Sequence, residues 1–235
     1  MVIPTVPANC QNCPHLHKSL LGTCQLSELA MISDGKVHQS YHKGQLIFQQ
    51  GSRISGLHCI NKGKVKVSKV SANGKEQIIR LAKEGDVLGY RSLMIGNTYS
   101  TAAVALTDCV ICQVPRLDFL SIIKQNSQFS DSLTLLLAKS LGQAEERMLH
   151  TAYKSVRERL AEALLLLHEV FQPETNTVFS IPVSRDDLAA LASTAKETAS
   201  RLLSEFRDEG LVVTQGSRIT ILNVEKLRQI SAVCD

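Results

Sequence analysis

The apolar residues of this chain change their spacing once, near Asp131, and this change limits what the chain can fold into. Before it, residues 35–118 consist of short apolar alternations separated by glycines, and Val65-Lys66-Val67-Ser68 alternates with a period of two. Asn73-Gly74 is a typical hairpin dipeptide. Short strands with regular turn signals predict an all-β barrel or sandwich for this region.

After Asp131 the spacing becomes that of a helix, with apolar or small residues at Leu133, Leu137, Leu141, Ala144 and Met148. Such a helix can pack on the barrel or against its twin in a dimer, and both interpretations stay open. A second amphipathic helix is predicted over 156–170. We expect four parts, namely a cysteine-bearing segment over 1–34, a β-rich domain over 35–130, the long helix over 131–152 and a C-terminal domain over 153–235.

The C-terminal domain carries the pattern of a helix-turn-helix. Ser184 followed by Asp187 is a capping-box pattern that opens one helix, and Thr194 followed by Glu197 repeats it for a second helix. Only about three residues separate the two predicted helices, which is the spacing of this motif. Two apolar runs on either side of residues 215–218 then predict a short hairpin, as in a winged helix.

The second helix of this pair separates into an apolar and a polar side, with Ala195, Thr198, Ala199, Leu202 and Phe206 on the apolar one. The polar side can read base edges, because Arg bonds guanine through two donors and Glu accepts from cytosine. The alternative is a solvated face with a Glu197–Arg201 ion pair. The candidate DNA-contacting residues are Lys196, Glu197, Ser200, Arg201, Ser184, Arg185, Ser217 and Arg218.

Charge and composition narrow the class of protein. The net charge of +4 is divided unevenly, with −2 on residues 151–235 (10 Lys/Arg against 12 Asp/Glu) and +6 on the first 150 (16 against 10). DNA binding must therefore depend on where the charges lie. No apolar run reaches the roughly 18–20 residues that span a bilayer, and no signal-peptide pattern is present. We expect a cytoplasmic protein without membrane contact, and no nucleophile or phosphate-loop motif predicts an enzyme.

Seven cysteines, an odd number in an expected cytoplasmic protein, do not indicate a disulfide framework. Cys10 and Cys13 have the Cys-x2-Cys spacing that binds zinc or an iron–sulfur cluster through thiolates. His15 and His17 follow closely and are further candidate ligands. Free cysteines are also often buried small apolar residues. The residues alone therefore leave a metal site, thiol redox chemistry and plain packing open.

Taken together, these patterns resemble the CRP/FNR family of bacterial transcription regulators over nearly the whole chain. In the β-rich region the resemblance is carried by Lys43-Gly44-Gln45, Gly51, Asn61-Lys62-Gly63-Lys64-Val65-Lys66, Gly85-Asp86-Val87-Leu88-Gly89 and Cys112-Gln113-Val114-Pro115. It implies an α+β fold with an N-terminal cyclic-nucleotide-binding-type β-roll, a long dimerisation helix and a C-terminal winged helix-turn-helix. It also implies a homodimer that binds double-stranded DNA, with RNA polymerase as a further candidate partner.

Within the family, Glu197-Thr198-Ala199-Ser200-Arg201 is similar to the Glu-x-x-Ser-Arg pattern of the FNR branch. This resemblance implies a palindromic site with half-sites like TTGAT, in which Glu197 and Arg201 read the central C·G/G·C pair and Ser200 an adjacent T·A pair. The β-roll departs from the pattern of cyclic-AMP binders, because Tyr99 stands where their phosphate-binding arginine is expected. A phosphate without a cationic partner binds poorly, so cyclic AMP is not the expected signal.

The FNR resemblance also implies an oxygen-labile four-iron, four-sulfur (4Fe-4S) cluster, held by N-terminal cysteines and one cysteine of the β-roll. Cys10, Cys13 and Cys112 match three of its ligands. The remaining ligand of the family follows in the N-terminal segment after a short gap, whereas ten residues separate Cys13 from Cys24 here. A longer loop can still bring Cys24 to the cluster, so Cys24 is the first choice for this ligand and Cys59 is its rival. The alternatives are a zinc or thiol redox sensor, a constitutive regulator, and one that senses haem, nitric oxide or a metabolite.

Overall fold

A computed structural model describes residues 9–173 and 178–232 of the chain. The chain divides into two compact units. One comprises the described residues up to Lys69 together with Ala82–Leu141, and the other comprises Val70–Leu81 with the described residues from Gly142 onwards. The predicted α+β fold class is confirmed, since antiparallel sheets are followed by a long helix and a winged helix-turn-helix. The four domain boundaries expected from the sequence stay a prediction.

The described N-terminal residues form three short 3-10 turns and then a helix. The turns are Cys10–Asn12, Leu16–Lys18 and Leu20–Thr23, and the helix α1 is Leu26–Gly35. A cap begins α1, because the Gln25 N–H donates to the Glu28 carboxylate (2.6 Å). Leu29 and Ile32 are buried and anchor α1 to the rest of the unit.

Eight strands make up the β-roll, and they form two four-stranded sheets. The strands are β1 (Val37–Tyr41), β2 (Leu46–Phe48), β3 (Gly56–Lys62), β4 (Val65–Val70), β5 (Glu76–Ala82), β6 (Val87–Leu88), β7 (Ala102–Ala105) and β8 (Cys109–Pro115). One sheet has the order β1-β8-β3-β6 and the other β2-β7-β4-β5. β3 and β8 are antiparallel, and their register places Cys59 directly opposite Cys112.

β3 and β8 approach each other closely at Gly56, the first residue of β3. A Cβ atom at this position would lie 2.1 Å from the Val114 carbonyl oxygen, so only glycine fits. Leu57 and Ile60 of β3 and Ile111 of β8 are at most 2% exposed. Because backbone ladders with buried side chains open least readily, we expect this strand pair to be among the most stable parts of the unit.

Three helices follow or interrupt the β-roll: α2 (Tyr90–Ile95), α3 (Arg116–Gln125) and α4 (Ser127–Tyr153). α4 begins at Ser127 rather than at Asp131 because Asn126 caps it, its side-chain oxygen accepting from the Phe129 N–H (3.0 Å). Its exposed large apolar residues are Leu135, Leu141, Met148, Leu149 and Tyr153. Among the described residues, no helix has both the length and the apolar composition needed to cross a membrane.

The second unit contains the C-terminal helices and a three-stranded sheet of order β10-β11-β9. Its elements are α5 (Val156–Phe171), β9 (Ile181–Pro182), α6 (Arg185–Leu191), α7 (Lys196–Asp208), β10 (Val212–Gln215), β11 (Arg218–Ile221) and α8 (Val224–Ser231). The Ser184 cap predicted at the start of α6 is confirmed, since the Ser184 hydroxyl accepts from the Asp187 N–H (3.0 Å) and donates to the Asp187 carboxylate (2.7 Å).

The second predicted cap, at Thr194, is wrong. α7 begins at Lys196, and its N-cap is Ala195, which has no side-chain oxygen. Thr194 belongs to the turn before the helix, where its N–H donates to the Ala189 carbonyl (3.1 Å) and Ser193 has a φ of +53°. The turn therefore needs one residue more than the capping pattern allows, and α7 starts without a side-chain cap.

Candidate functional site: a cysteine pocket and a polar helix face

A pocket in the first unit is lined by the N-terminal turns, by the residue after α1 and by the strands β3 and β8. Four cysteines line it, Cys10 and Cys13 from the first turn, Cys59 from β3 and Cys112 from β8. The structure therefore brings together three of the ligands expected from the sequence with Cys59, the rival candidate for the fourth. We call this site the cysteine pocket.

Local hydrogen bonds fix the first turn of the pocket against α1. Asn9 caps the turn by accepting from the Gln11 N–H (2.9 Å). The Cys10 N–H donates to the Ser33 hydroxyl (2.8 Å), which donates in turn to the Leu29 carbonyl (2.6 Å). The N–H of Cys13 closes the turn on the Cys10 carbonyl (3.1 Å), so one tight turn carries both sulfurs of the Cys-x2-Cys pair.

Three nitrogen groups lie beside three of the pocket sulfurs. The contacts are Lys36 Nζ to Cys10 Sγ (3.2 Å), His38 Nδ1 to Cys112 Sγ (3.3 Å) and Asn61 Nδ2 to Cys13 Sγ (3.7 Å). Hydrogen bonds to ligand sulfurs orient the ligands and set the reduction potential of a bound cluster. The pocket thus holds four thiols with a nitrogen group beside three of them.

Burial raises the pKa of two pocket thiols, Cys59 and Cys112, and keeps them protonated near pH 7. It raises the pKa of Cys112 to about 11, although the Lys36 charge acts in the opposite direction, and it raises the pKa of Cys59 well above the ordinary value. Burial, together with the charge of Lys36, lowers the pKa of His38 and keeps that ring neutral near pH 7. Metal binding at these thiols would therefore release protons, and without metal they are weak nucleophiles.

Cys24, the first choice for the fourth ligand, is not among the residues that line the cysteine pocket. It follows the third turn, where its N–H donates to the Leu21 carbonyl (3.1 Å). Burial, followed by the charge of the Glu28 carboxylate, raises the pKa of Cys24 to about 12. The charged group with the largest effect on this thiol is therefore a carboxylate, which disfavours the thiolate.

The other candidate ligands also differ in whether they line the pocket. His15 lines it, whereas His17 does not. Cys109 lies on the same strand as Cys112 but outside the pocket, and its thiol donates to the Thr107 carbonyl (3.2 Å). Residues three apart on a strand face opposite sides, which is why one strand supplies one sulfur to the pocket. Cys234 lies outside the described residues.

The donor set of the pocket consists of four thiols, the ligand type that iron–sulfur clusters use. Residues 9–173 and 178–232 contain no group of three or more His, Cys, Asp or Glu side chains that could hold one metal ion. A zinc site needs its thiolates within about 2.3 Å of a common centre. An iron–sulfur cluster instead takes cysteines that surround it, and the cysteine pocket has four.

The inside of the β-roll is filled at the position where a cyclic-AMP binder is expected to have arginine. Tyr99 is only 2% exposed, and its ring stacks on Phe48 with 4.1 Å between centroids. Its hydroxyl donates to the Gly56 carbonyl (3.2 Å) and accepts from the Ser55 N–H (3.2 Å). Burial lowers the pKa of the neighbouring His58 to about 4, so that ring is neutral as well. These groups offer no cation to a phosphate.

α7 has one buried side and one side that faces solvent. Its buried residues are Ala199, Leu202, Leu203 and Phe206. Lys196, Glu197 and Arg201 are exposed and Ser200 is half-buried, so the predicted polar side is the outer one. Ala195, which the helical pattern places on the apolar side, is exposed because it is the N-cap. We call the outer side of α7 the recognition face.

Lys196 and Arg201, the basic residues of the recognition face, form ion pairs with acidic neighbours. Lys196 Nζ is 2.8 Å from the carboxylate of Asp186 on α6. Arg201 forms an ion pair with Glu205, one turn further along α7. The Glu197–Arg201 pair considered from the sequence is therefore wrong, because the guanidinium turns toward the C-terminal neighbour. All of these side chains are more than a third exposed, so water can replace the pairs at little cost.

The hairpin after α7 forms the wing, and Arg185 connects it to α6. Gly216 at the hairpin turn has a φ of +58°, and its carbonyl accepts from the Arg185 guanidinium (3.3 Å). Arg185 is half-buried, and this partial burial lowers the pKa of its guanidinium. Ser217 and Arg218 are exposed at the tip. The Ser184 hydroxyl is already used as the cap of α6. Contacts of these four side chains, Ser184, Arg185, Ser217 and Arg218, with DNA stay a prediction.

Comparison with known proteins gives matches over both units. Residues 38–126 match the cyclic nucleotide-binding domain and residues 158–230 the Crp-like helix-turn-helix domain. The chain is 31% identical to the cyclic AMP receptor protein of Thermus thermophilus, over 81% of this chain and 86% of that one. It is 25% identical to the transcriptional activator protein FnrL of Cereibacter sphaeroides, over 94% and 90%. The solved structure of FixK2 from Bradyrhizobium japonicum is similar, with a TM-score of 0.72 at 25% identity, over 85% of this chain and 99% of that one.

Proposed function

Because the chain belongs to the CRP/FNR family of DNA-binding transcription regulators, we propose that it senses oxygen or a related redox signal through an iron–sulfur cluster in the cysteine pocket. The observation that carries this proposal is the meeting of Cys10 and Cys13 with Cys112, which are far apart in the sequence but line one pocket. The proteins of this family are regulators and not enzymes, and we propose cytoplasmic action on DNA.

The recognition face would supply the sequence specificity. Glu197 and Arg201 are exposed on one side of α7, where a major-groove helix reaches base edges. In this proposal Arg201 exchanges its exposed pair with Glu205 for a guanine edge. Lys196 is similarly available from its exposed pair with Asp186. Palindromic DNA with TTGAT-like half-sites is the proposed target, and RNA polymerase stays a further candidate partner.

A homodimer through α4 would place two recognition faces on such a palindrome. Leu135, Leu141, Met148 and Leu149 are each more than half exposed in the single chain, although they are large and apolar. Exposed apolar side chains in a row are typical of an interaction surface. Leu141 and Met148 are seven residues apart, which is the repeat by which paired helices contact each other.

On the sensor side, the chain's own residues would hold and tune the cluster. Cys10, Cys13 and Cys112 would bind it as thiolates, and Lys36, Asn61 and His38 would contact those sulfurs. When bound, the cluster supplies a redox-labile link between the N-terminal turns and the β-roll. Such a link changes the balance between two conformations only if it favours one of them.

Asn126 provides a route from the N-terminal segment to the start of α4. Its side-chain amide donates to the Thr23 carbonyl (3.1 Å) and to the Glu28 carboxylate (2.7 Å), and its oxygen caps α4 at Phe129. Asn126 is only 5% exposed, so these contacts are made without competing water. Movement of the N-terminal turns would therefore alter the first turn of the proposed dimerisation helix.

The test begins with protein purified without oxygen. We expect about four iron and four sulfide per chain and a cysteine-dependent visible absorption. Affinity for a TTGAT-type palindrome, measured at fixed salt, should then change by about tenfold or more on exposure to air, a coupling of about 1.4 kcal/mol. A colourless, iron-free protein with the same operator affinity in air would refute the sensor and leave a constitutive regulator or one with another signal.

A further inference from the structure

We infer that the fourth cluster ligand is Cys59 and not Cys24, so that two cysteines of the N-terminal turn and two of the β3–β8 pair hold the cluster. This inference rests on the proposed function. It departs from an arrangement with three N-terminal ligands and assigns the rigid half of the site to the sheet.

The first argument is the register of the two strands. Cys59 and Cys112 are direct partners across β3 and β8, so their side chains leave the sheet on the same face. Both line the cysteine pocket. Cys59 therefore lines the same cavity as the three proposed ligands, whereas Cys24 does not.

The second argument is the position in which Cys24 is held. Its neighbour Thr23 accepts a hydrogen bond from the buried Asn126 (3.1 Å), and its own N–H is bonded to Leu21 (3.1 Å). The next residue, Gln25, caps α1 with Glu28. These bonds hold the backbone around Cys24 while it lies outside the pocket lining, so moving that backbone into the pocket would cost at least one hydrogen bond to the buried Asn126.

The ten residues between Cys13 and Cys24 have a different use in this arrangement. They form the turns Leu16–Lys18 and Leu20–Thr23, and Leu16 and Leu21 from these turns line the pocket. Leu21 is 6% exposed. Apolar cover limits the access of water and oxidant to a cluster and raises the stability of its sulfur ligation. The long gap therefore supplies a lid of leucines where a ligand is expected.

The experiment compares Cys59→Ser with Cys24→Ser in the full-length protein purified without oxygen, with Cys112→Ser as the reference for a lost ligand. We expect Cys24→Ser to keep the iron and sulfide content and the absorption spectrum of the unaltered protein. Cys59→Ser should lose cluster content to the level of Cys112→Ser. If Cys59→Ser does not unfold cooperatively on heating, Cys59→Ala replaces it, because alanine buries no hydroxyl.

The outcomes separate the two proposals. Loss of the cluster in Cys24→Ser, whether or not Cys59→Ser also loses it, overturns the assignment of Cys59 while the sensor proposal stands. Retention of the cluster in folded Cys59→Ser or Cys59→Ala overturns the assignment as well. Absence of iron and sulfide from the unaltered protein refutes the sensor proposal itself, and with it the premise of this inference.

Discussion

The residues of α7 proposed to read base edges lie within six positions of the sequence, from Lys196 to Arg201. The pocket cysteines, in contrast, extend from Cys10 to Cys112. The recognition face is exposed, and its charged groups are paired with neighbours that water can replace. In the cysteine pocket Cys10 and Cys112 are buried, and the sulfurs contact groups from three parts of the chain, namely Lys36 after α1, His38 on β1 and Asn61 on β3. Local sequence therefore determines the first site, and the fold of a whole unit determines the second.

This difference has consequences for mutation. A change on the recognition face removes an interaction with DNA but little stability, because the side chains are solvated in the free protein. A change in the cysteine pocket alters ligands, packing and hydrogen bonds together. We therefore expect pocket variants to lose the response to air while they keep their preference among DNA sequences, and recognition-face variants to do the opposite.

The largest effect is expected for Cys112→Ser. Without this thiolate the protein purified without oxygen should contain no cluster, and its operator affinity should be the same with and without air. Cys109→Ser is the matched control, since Cys109 lies on the same strand but bonds the Thr107 carbonyl outside the pocket. Iron analysis and operator titrations measure both. Equal cluster loss in the two variants would show that strand packing, and not ligation, decides cluster content.

Asn126→Ala should come next, because it removes a buried helix cap and two donated hydrogen bonds. We expect a loss of about 2–3 kcal/mol in the free energy of unfolding, measured by urea denaturation, and a weaker air response. Asn126→Asp keeps an oxygen that can cap α4 but loses the donors to Thr23 and Glu28, and it places a second negative charge beside the Glu28 carboxylate, so the contacts with the N-terminal segment are weakened while the cap stays. If Asn126→Asp keeps the full air response, the proposed route through Thr23 is wrong.

The helices α6 and α7 show which features of a site local sequence predicts. The 3.6-residue period predicted its buried and exposed sides, and the Ser184 cap was predicted at the residue where the structure has it. The Thr194 cap failed because Ser193 takes a left-handed conformation that lengthens the turn. Capping patterns report hydrogen-bond chemistry but not the path of the turn before the helix, which the packing of α6 and α7 sets.

The cysteine pocket shows what local sequence does not predict. Cys10 and Cys13 were recognisable from their spacing, since one turn carries both. The meeting of Cys59 with Cys112 depends on the register of β3 and β8, and no residue near either cysteine encodes it. The resemblance, in which the N-terminal segment supplies three ligands, places Cys24 above Cys59. The pairing of β3 with β8, which brings Cys59 and Cys112 to one pocket, cannot be read from that pattern.

Arg201→Ala tests the recognition face with a smaller effect. It should cost about 1–3 kcal/mol of operator binding and relax the preference at one base pair, with unchanged iron content. Arg207→Ala is the control, because Arg207 is also an exposed arginine of α7 but pairs with Asp208 near the helix end. Operator variants at each position of a TTGAT half-site distinguish the outcomes. An equal loss on every sequence would assign Arg201 to a phosphate instead.

Lys36→Met has the smallest expected effect and tests whether the buried site is tuned by charge. The Lys36 ammonium lies 3.2 Å from Cys10 Sγ, so it stabilises negative charge on that sulfur. Without this charge the proposed cluster would lose electrons to oxygen more readily. The visible absorption should therefore decay about tenfold faster in air, which is the lower end of the effects seen when groups that contact metal ligands are removed. Lys18→Met removes the same charge from an exposed residue outside the pocket. Equal decay rates in the two variants would mean that overall charge, and not the contact with Cys10, sets the sensitivity to air.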